Sequence, residues 1–202
     1  MEPVFIDMNG DKLDHTQWEQ DEQVEAMTMT RPPMCILELG GRYGLVSYWA
    51  NRVLDDPTHH VVVEPDVRVI PALKQNRERN GSQYHILEGV ISKKPMKICH
   101  RENEWETCVE PCLEEPSVPC YTWDEVEAKY GLKFNALYAD IEGGFPEFVK
   151  ENQDKIRQLM FVMFERDGKD IDYTETEHIL MSNGLMPHHT RGLQVVYVRM
   201  YN

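Results

Sequence analysis

The chain has 202 residues, enough for one well-buried α/β core and too few for two ordinary domains. Lysine and arginine number 21 against 35 aspartates and glutamates, and the formal net charge of −14 argues against a nucleic acid partner, whose phosphates it would repel. No run approaches the roughly 18 apolar residues of a spanning helix, and residues 1–30 lack both a basic n-region and an apolar h-segment, so a cytoplasmic protein without a membrane segment is expected.

Residues 1–33 read as a polar, acidic lead-in, irregular or partly helical, and Arg31-Pro32-Pro33 stops any helix before the first strand. The domain proper is expected over 34–202. A strand over 34–39 runs into Gly40, Gly41 and Gly44, and a helix with an apolar face follows over 44–54. The β-branched run over 60–63 predicts a strand buried on both faces, ending at Glu64-Pro65. A helix over 67–79 closes at Asn80-Gly81, and a third strand covers 84–90. Pro95, Pro111 and Pro116 weaken the pattern over 91–117, where short alternations suggest a hairpin or variable loop. Thr122 with Glu125 forms a capping box for the next helix. The strand over 134–139 ends at Asp140-Ile141-Glu142-Gly143-Gly144. A helix over 145–158, a strand over 159–164 closed by Glu165, a helix over 173–183 and paired strands over 185–189 and 193–200 complete the chain. Strands alternating with helices and finishing on a hairpin predict a mostly parallel sheet with one antiparallel strand.

In an open parallel sheet a ligand lies beyond the carboxyl ends of the strands. Acids gather at those ends here: Glu38, Glu64, Glu88, Asp140, Glu142 and Glu165. The glycines let backbone N–H groups approach a ligand closely. Their G-G-x-x-G spacing is not the dinucleotide G-x-G-x-x-G, and Glu38 two residues upstream suits a ligand with a positive charge near the loop. Glu64, 20 residues beyond Gly44, stands where an acid accepts hydrogen bonds from ribose hydroxyls. The cysteines at 99, 108, 112 and 120 lack the paired short knuckles of a zinc site and read, with Cys35, as reduced structural thiols. His59-His60 and His188-His189 read as surface pairs, because strand neighbours point to opposite faces, although His188 or His189 near the hairpin could also face an acceptor. Lys93, Lys94, Lys97 and Arg101 form the one loose basic cluster, and Trp105 and Trp123 read as core or lid.

Taken together, these segments resemble the FkbM-type family of class I methyltransferases, which use S-adenosylmethionine (SAM). The similar stretches are ILELGGRYGLVS, VVVEPD at 61–66, LKQNRERNG at 73–81, VPCYTWDEV at 118–126 and LYADIEGG at 137–144, in the family's order over roughly 34–200. The chain departs from the family pattern at Glu38 for Asp, Gly41-Arg42 for Ala-Asn, Tyr138 for Lys, and Phe145-Pro146 after the D-x-E-G segment. The resemblance implies a Rossmann-like class I methyltransferase sandwich, with a mostly parallel seven-stranded sheet, a C-terminal antiparallel hairpin and helices on both faces. It implies O-methylation of a small acceptor, a sugar, glycan or natural product, by a stand-alone protein or a domain of a larger glycan-modifying enzyme. The cofactor-binding set is then Glu38, Gly40, Gly41, Tyr43, Gly44, Glu64, Pro65, Gly89, Val90 and Asp140. Asp140 and Glu142 are the candidate general bases, and a divalent metal, which the reading does not require, would take Asp140, Glu142 and Glu165. The alternative is a methyltransferase-like module that binds SAM without turnover, motivated by Tyr138 and Phe145-Pro146.

Overall fold

The structure is a computed structural model that describes residues 2–100, 107–168 and 170–200; Arg101 and Trp105 lie outside the described residues. The N-terminal segment forms strands β1 (Phe5–Ile6) and β2 (Lys12–Leu13), paired antiparallel, and helix α1 (Gln20–Met29). Then follow β3 (Ile36–Leu39), α2 (Leu45–Asn51), β4 (His60–Glu64), α3 (Ile70–Arg79), β5 (His85–Glu88) and β6 (Val90–Ile91). A hairpin of β7 (Met96–His100) and β8 (Thr107–Pro111) precedes β9 (Cys120–Tyr121), α4 (Trp123–Tyr130) and β10 (Ala136–Ala139). The chain ends with α5 (Phe145–Glu151), α6 (Gln153–Ile156), β11 (Phe161–Glu165), α7 (Thr174–Ser182), β12 (Leu185–Arg191) and β13 (Gln194–Arg199).

The main sheet has seven strands in the order β12-β13-β11-β10-β3-β4-β5. The ladders from β5 to β11 are parallel, and β13 pairs antiparallel with both β11 and β12. Alternation along each strand sorts its side chains between the two faces. Leu37, Val61, Leu137 and Phe164 meet Trp123, Val149, Ile156 and Leu180 of α4 to α7 on one face. On the other, Ile36, Ala136, Tyr138 and Met163 lie under Ala26 of α1 and Ala50 of α2, while Val62 meets Leu73 of α3. Each fully buried Val, Leu or Phe contributes about 1.5–3 kcal/mol, so this two-sided burial dominates the stability of the sheet.

Local chemistry sets the departures from the expected elements. The third strand ends at Glu88 because Gly89, at φ 148, turns the chain away, and Val90–Ile91 pair with β9 instead of β4. The helix expected over 145–158 is interrupted at Asn152, whose backbone leaves helical geometry and whose side-chain amide donates to the Phe148 carbonyl at 2.9 Å. The lead-in is more ordered than its composition suggests: Phe5 and Leu13 are buried against Tyr43 and Tyr48. Tyr138, in place of the family's lysine, is buried beneath α1 and shares a 2.7 Å hydrogen bond with the Thr30 hydroxyl. Phe145 stacks on Phe164 with ring centroids 4.4 Å apart, so the Phe-Pro departure anchors the start of α5 in the core.

Candidate active site

A cleft opens beyond the carboxyl ends of β3, β4 and β10, and Gly40, Glu64, Pro65, Gly89, Val90, Asp140 and Glu142 all line it. The β7–β8 hairpin adds Met96, Thr107, Val109 and Pro111 to the lining. Thr107 Oγ1 donates to Asp66 Oδ2 at 2.9 Å and so ties the hairpin to the turn after β4. Burial pushes the Asp66 carboxyl up, but donors from Arg68 and Thr107 outweigh it and hold the group at about 2. On the α5 side, Lys94 pairs with Glu147 and Glu151 at 2.5 and 3.1 Å. Lys97 pairs with Glu110, so these members of the basic cluster meet carboxylates rather than forming a bare cationic surface.

The glycine loop is shaped by crowding as much as by any ligand. A Cβ on Gly40, at φ 86, would collide with the Asp140 carbonyl oxygen, and one on Gly41 would collide with the Val62 side chain. Gly44 caps α2 in the left-handed region at φ 80, and a Cβ there would stand 2.6 Å from the Tyr84 hydroxyl. Gly40 therefore reaches the cleft wall, whereas Gly41 lines a small neighbouring recess with Glu38, and Gly44 packs inside.

Glu64 is the best-defined polar group of the cleft. It is buried, with Oε1 accepting the Asp66 N–H at 2.8 Å and Oε2 the Arg42 N–H at 2.7 Å. Burial pushes its carboxyl up to about 7, against the pull of those two N–H groups. Each oxygen retains a further lone pair for a ligand donor. Arg42 itself lines the cleft, its backbone at φ 38 and its guanidinium 5.1 Å from the Tyr43 ring centroid. Nothing in the sequence pattern marked Arg42 beyond its departure from the Ala-Asn pair.

Several predicted residues stand elsewhere. Glu38 falls on the α2 face of β3, where Ser47 Oγ donates to Oε1 at 2.5 Å and His60 Nε2 lies 2.7 Å from Oε2. Both carboxylate oxygens have partners within the protein, so Glu38 ties β3 to α2 and β4, and it lines the small recess beside Gly40 and Gly41 rather than the main cleft. His60 is fully buried, which corrects its reading as a surface residue. Tyr43 is buried with Phe5, Tyr48 and Val69 and does not line the cleft. His189 Nε2 lies 2.8 Å from Glu25 Oε2, and Arg191 Nε donates to Glu25 Oε1 at 2.6 Å, so this end of β12 anchors α1. Glu142 lies in a turn at φ 51, followed by Gly143 at φ 82; the chain is not extended there, and alternation does not align Glu142 with Asp140.

Asp140 instead meets Glu165 of β11 and Glu22 of α1: one carboxylate oxygen of each lies within 4.8 Å of the others. Burial first, then repulsion from Glu22 and Glu165, drives the Asp140 carboxyl well above the usual carboxylate range. Burial and the charge of Asp167 raise Glu165 as well. Glu22, and not Glu142, stands with Asp140 and Glu165 in this group of acids. It escaped sequence reasoning because its segment read as a solvated lead-in. Among the described residues this is the group of acids, cysteines and histidines with metal-ligand spacing; the cysteines are free thiols, and Cys99 faces Cys108 across the hairpin. Among the described residues no helix is long and apolar enough to cross a membrane.

The strand order with an antiparallel β13, and a cleft at the carboxyl ends where the order reverses beside β3, define a Rossmann-like methyltransferase fold. No protein family and no curated protein matches the chain by sequence. Among solved structures, fibrillarin, a pre-rRNA processing protein of Methanococcus jannaschii, is similar with a TM-score of 0.54 and 13% identity over 90% of this chain and 76% of its own. A precorrin-6y C5,15-methyltransferase of Geobacter metallireducens aligns with a TM-score of 0.51 and 10% identity over 88% of this chain and 86% of its own. A methyltransferase of Pyrococcus furiosus does so with a TM-score of 0.51 and 14% identity over 87% and 80%. At these identities the likeness establishes the fold.

Proposed function

We propose that the chain is a SAM-dependent methyltransferase that moves a methyl group onto a hydroxyl of a small acceptor, a sugar or a natural product. The observation that carries the reading is the buried Glu64 carboxylate at the end of β4, oriented by two backbone N–H groups and lining the cleft beside Gly40 and Asp140. Its remaining lone pairs fit the two hydroxyls of a ribose. Apolar Pro65 and Val90 on the same wall fit an adenine. The buried Asp140 Oδ1 has no hydrogen-bond partner and fits a donor or a positive charge on the other side. The fold shared with known methyltransferases supports this choice of ligand. The FkbM-like order of motifs favours a hydroxylated acceptor, and Asp140 and Glu142 supply carboxylates to accept its O–H.

Bound SAM supplies an electrophilic methyl group on a sulfonium. The chain's own work is placement: Glu64 fixes the nucleoside, Gly40 permits close backbone approach, and Asp140 orients the acceptor hydroxyl. Asp140 would hold the acceptor O–H and take up its proton as the hydroxyl is methylated. Burial and the neighbouring carboxylates raise the group, so a positive charge brought beside it by the bound cofactor would be what favours the ionised form. The test is calorimetric SAM binding beside transfer of labelled methyl groups to a panel of sugars and polyketides. Asp140→Asn should keep SAM affinity within a few-fold while lowering turnover by about a hundredfold or more. Binding with no transfer to any acceptor would favour the non-catalytic module, and stabilisation by NAD but not SAM would overturn both readings.

A further inference from the structure

We propose that Glu22, Asp140 and Glu165 together bind one hard divalent cation of the Mg²⁺, Mn²⁺ or Ca²⁺ kind. The three come from separate elements: the N-terminal helix α1, the end of β10 and the end of β11. Each offers a carboxylate oxygen within 4.8 Å of the other two, close enough for one ion to touch all three. Proximity of acids alone would carry nothing, but Glu22 adds an independent observation. It is only 7% exposed and aimed into the cluster, yet among the described residues its side chain makes no hydrogen bond or ion pair. The buried Asp140 Oδ1 is likewise without a hydrogen-bond partner. Among the described residues no lysine, arginine or histidine forms a salt bridge with any of the three.

The docking of α1 does not explain Glu22, because other residues hold that helix. Gln23 Oε1 accepts from Trp49 Nε1 at 2.7 Å, Glu25 takes His189 and Arg191, and the Thr30 hydroxyl bonds Tyr138 at 2.7 Å. These contacts fix the helix while leaving Glu22 inside a ring of like charge, an arrangement that destabilises the fold unless a cation or protons neutralise it. An all-carboxylate ligand set selects hard, oxygen-seeking ions over zinc or copper. The site shares Asp140 with the proposed methyl-transfer cleft, and its test is made on the chain without SAM, so that cation binding and methyl transfer are read separately.

The test uses the full chain stripped with EDTA and titrated with Mn²⁺ by calorimetry, with no SAM present, alongside thermal melts. Saturable binding of one Mn²⁺ per chain, with a rise in melting temperature, is the expected result. Glu22→Gln should weaken Mn²⁺ binding at least about tenfold, because ligand charge sets the affinity of such sites. In metal-free buffer the same variant should melt no lower than wild type, since one of the mutually repelling carboxylates is gone. Glu165→Gln should repeat the loss of binding and supports the proposal if Glu22→Gln does not fold. No saturable binding at millimolar Mn²⁺, equal binding by both variants, or equal stabilisation by ammonium ions at matched ionic strength would overturn the proposal.

Discussion

Glu64 closes a strand buried along its whole length, and its carboxyl is held near a value where a small change of pH alters its charge. The ordinary value is 4.5 and burial raises it to about 7, so Glu64's contribution to folding is fully present below pH 4.5 and is lost as pH rises through 7. Ribose hydroxyls donating to the carboxylate favour the ionised form and pull in the opposite direction. SAM affinity should therefore increase with pH up to about 7 and level off above it, with a slope of at most about tenfold per unit from this one group. Calorimetry between pH 5.5 and 8.5 reads the slope, and Glu64→Gln should both weaken binding and flatten that part of the profile. Glu38 makes the contrasting case. Removing it leaves the fully buried His60 and Ser47 without their side-chain partner, so Glu38→Ala should cost about 1–3 kcal/mol in urea unfolding. If Glu38 instead held the ammonium of SAM, stability would change little and affinity would collapse; the expectation here is the reverse.

The junction of β3, β4 and β10 depends on backbones approaching closer than side chains allow. Gly40→Ala places a Cβ against the Asp140 carbonyl and must separate β3 from β10, in addition to straining a residue at φ 86. Gly81→Ala, at φ 69 with nothing within 4 Å, carries only the conformational cost, about 1–2 kcal/mol. Urea unfolding of both variants should show Gly40→Ala losing a further 1–3 kcal/mol or so from overpacking, and equal losses would mean that the loop yields freely. These crowded contacts also explain what was legible in the sequence. Strands and helices carry periodic signals, so the alternation of elements and the acids at strand ends could be read directly. The identity of what each acid meets could not. Glu38 and Glu64 both follow apolar runs near strand ends, but Glu38, one residue before the end of β3, is turned beneath α2, while Glu64 at the end of β4 lines the cleft. The hairpin showed as weak alternation, and its place beside the cleft depends on Thr107 meeting Asp66 across 41 residues of sequence. Glu22 and Glu25 sat in a helix with almost no amphipathic pattern, whose buried face is largely polar. The residues they meet lie just after β10 and on β11 and β12, beyond the reach of local periodicity.

At the scale of the whole molecule, those partners make residues 2–33 a structural part of the sheet's second face. Phe5 and Leu13 cover Tyr43 and Tyr48, Ala26 packs over the sheet with Tyr138 and Met163, and Glu25 neutralises Arg191. A chain beginning at Met34 would expose that apolar surface and leave Tyr138 without its Thr30 partner. The buried aromatic and aliphatic side chains uncovered are each worth about 1.5–3 kcal/mol, and a domain of this size has only about 5–15 kcal/mol to lose. The truncated chain should therefore fail to show a cooperative melt by circular dichroism and should aggregate in gel filtration. The alternative is that the α4 to α7 face and the central ladders suffice, leaving the N-terminal segment as a cover for the site. A truncated chain that melts cooperatively within a few degrees of the full chain, yet has lost Mn²⁺ binding, would establish that alternative. The packing of Phe5, Ala26 and Thr30 against side chains of the sheet face and α2 argues for collapse instead.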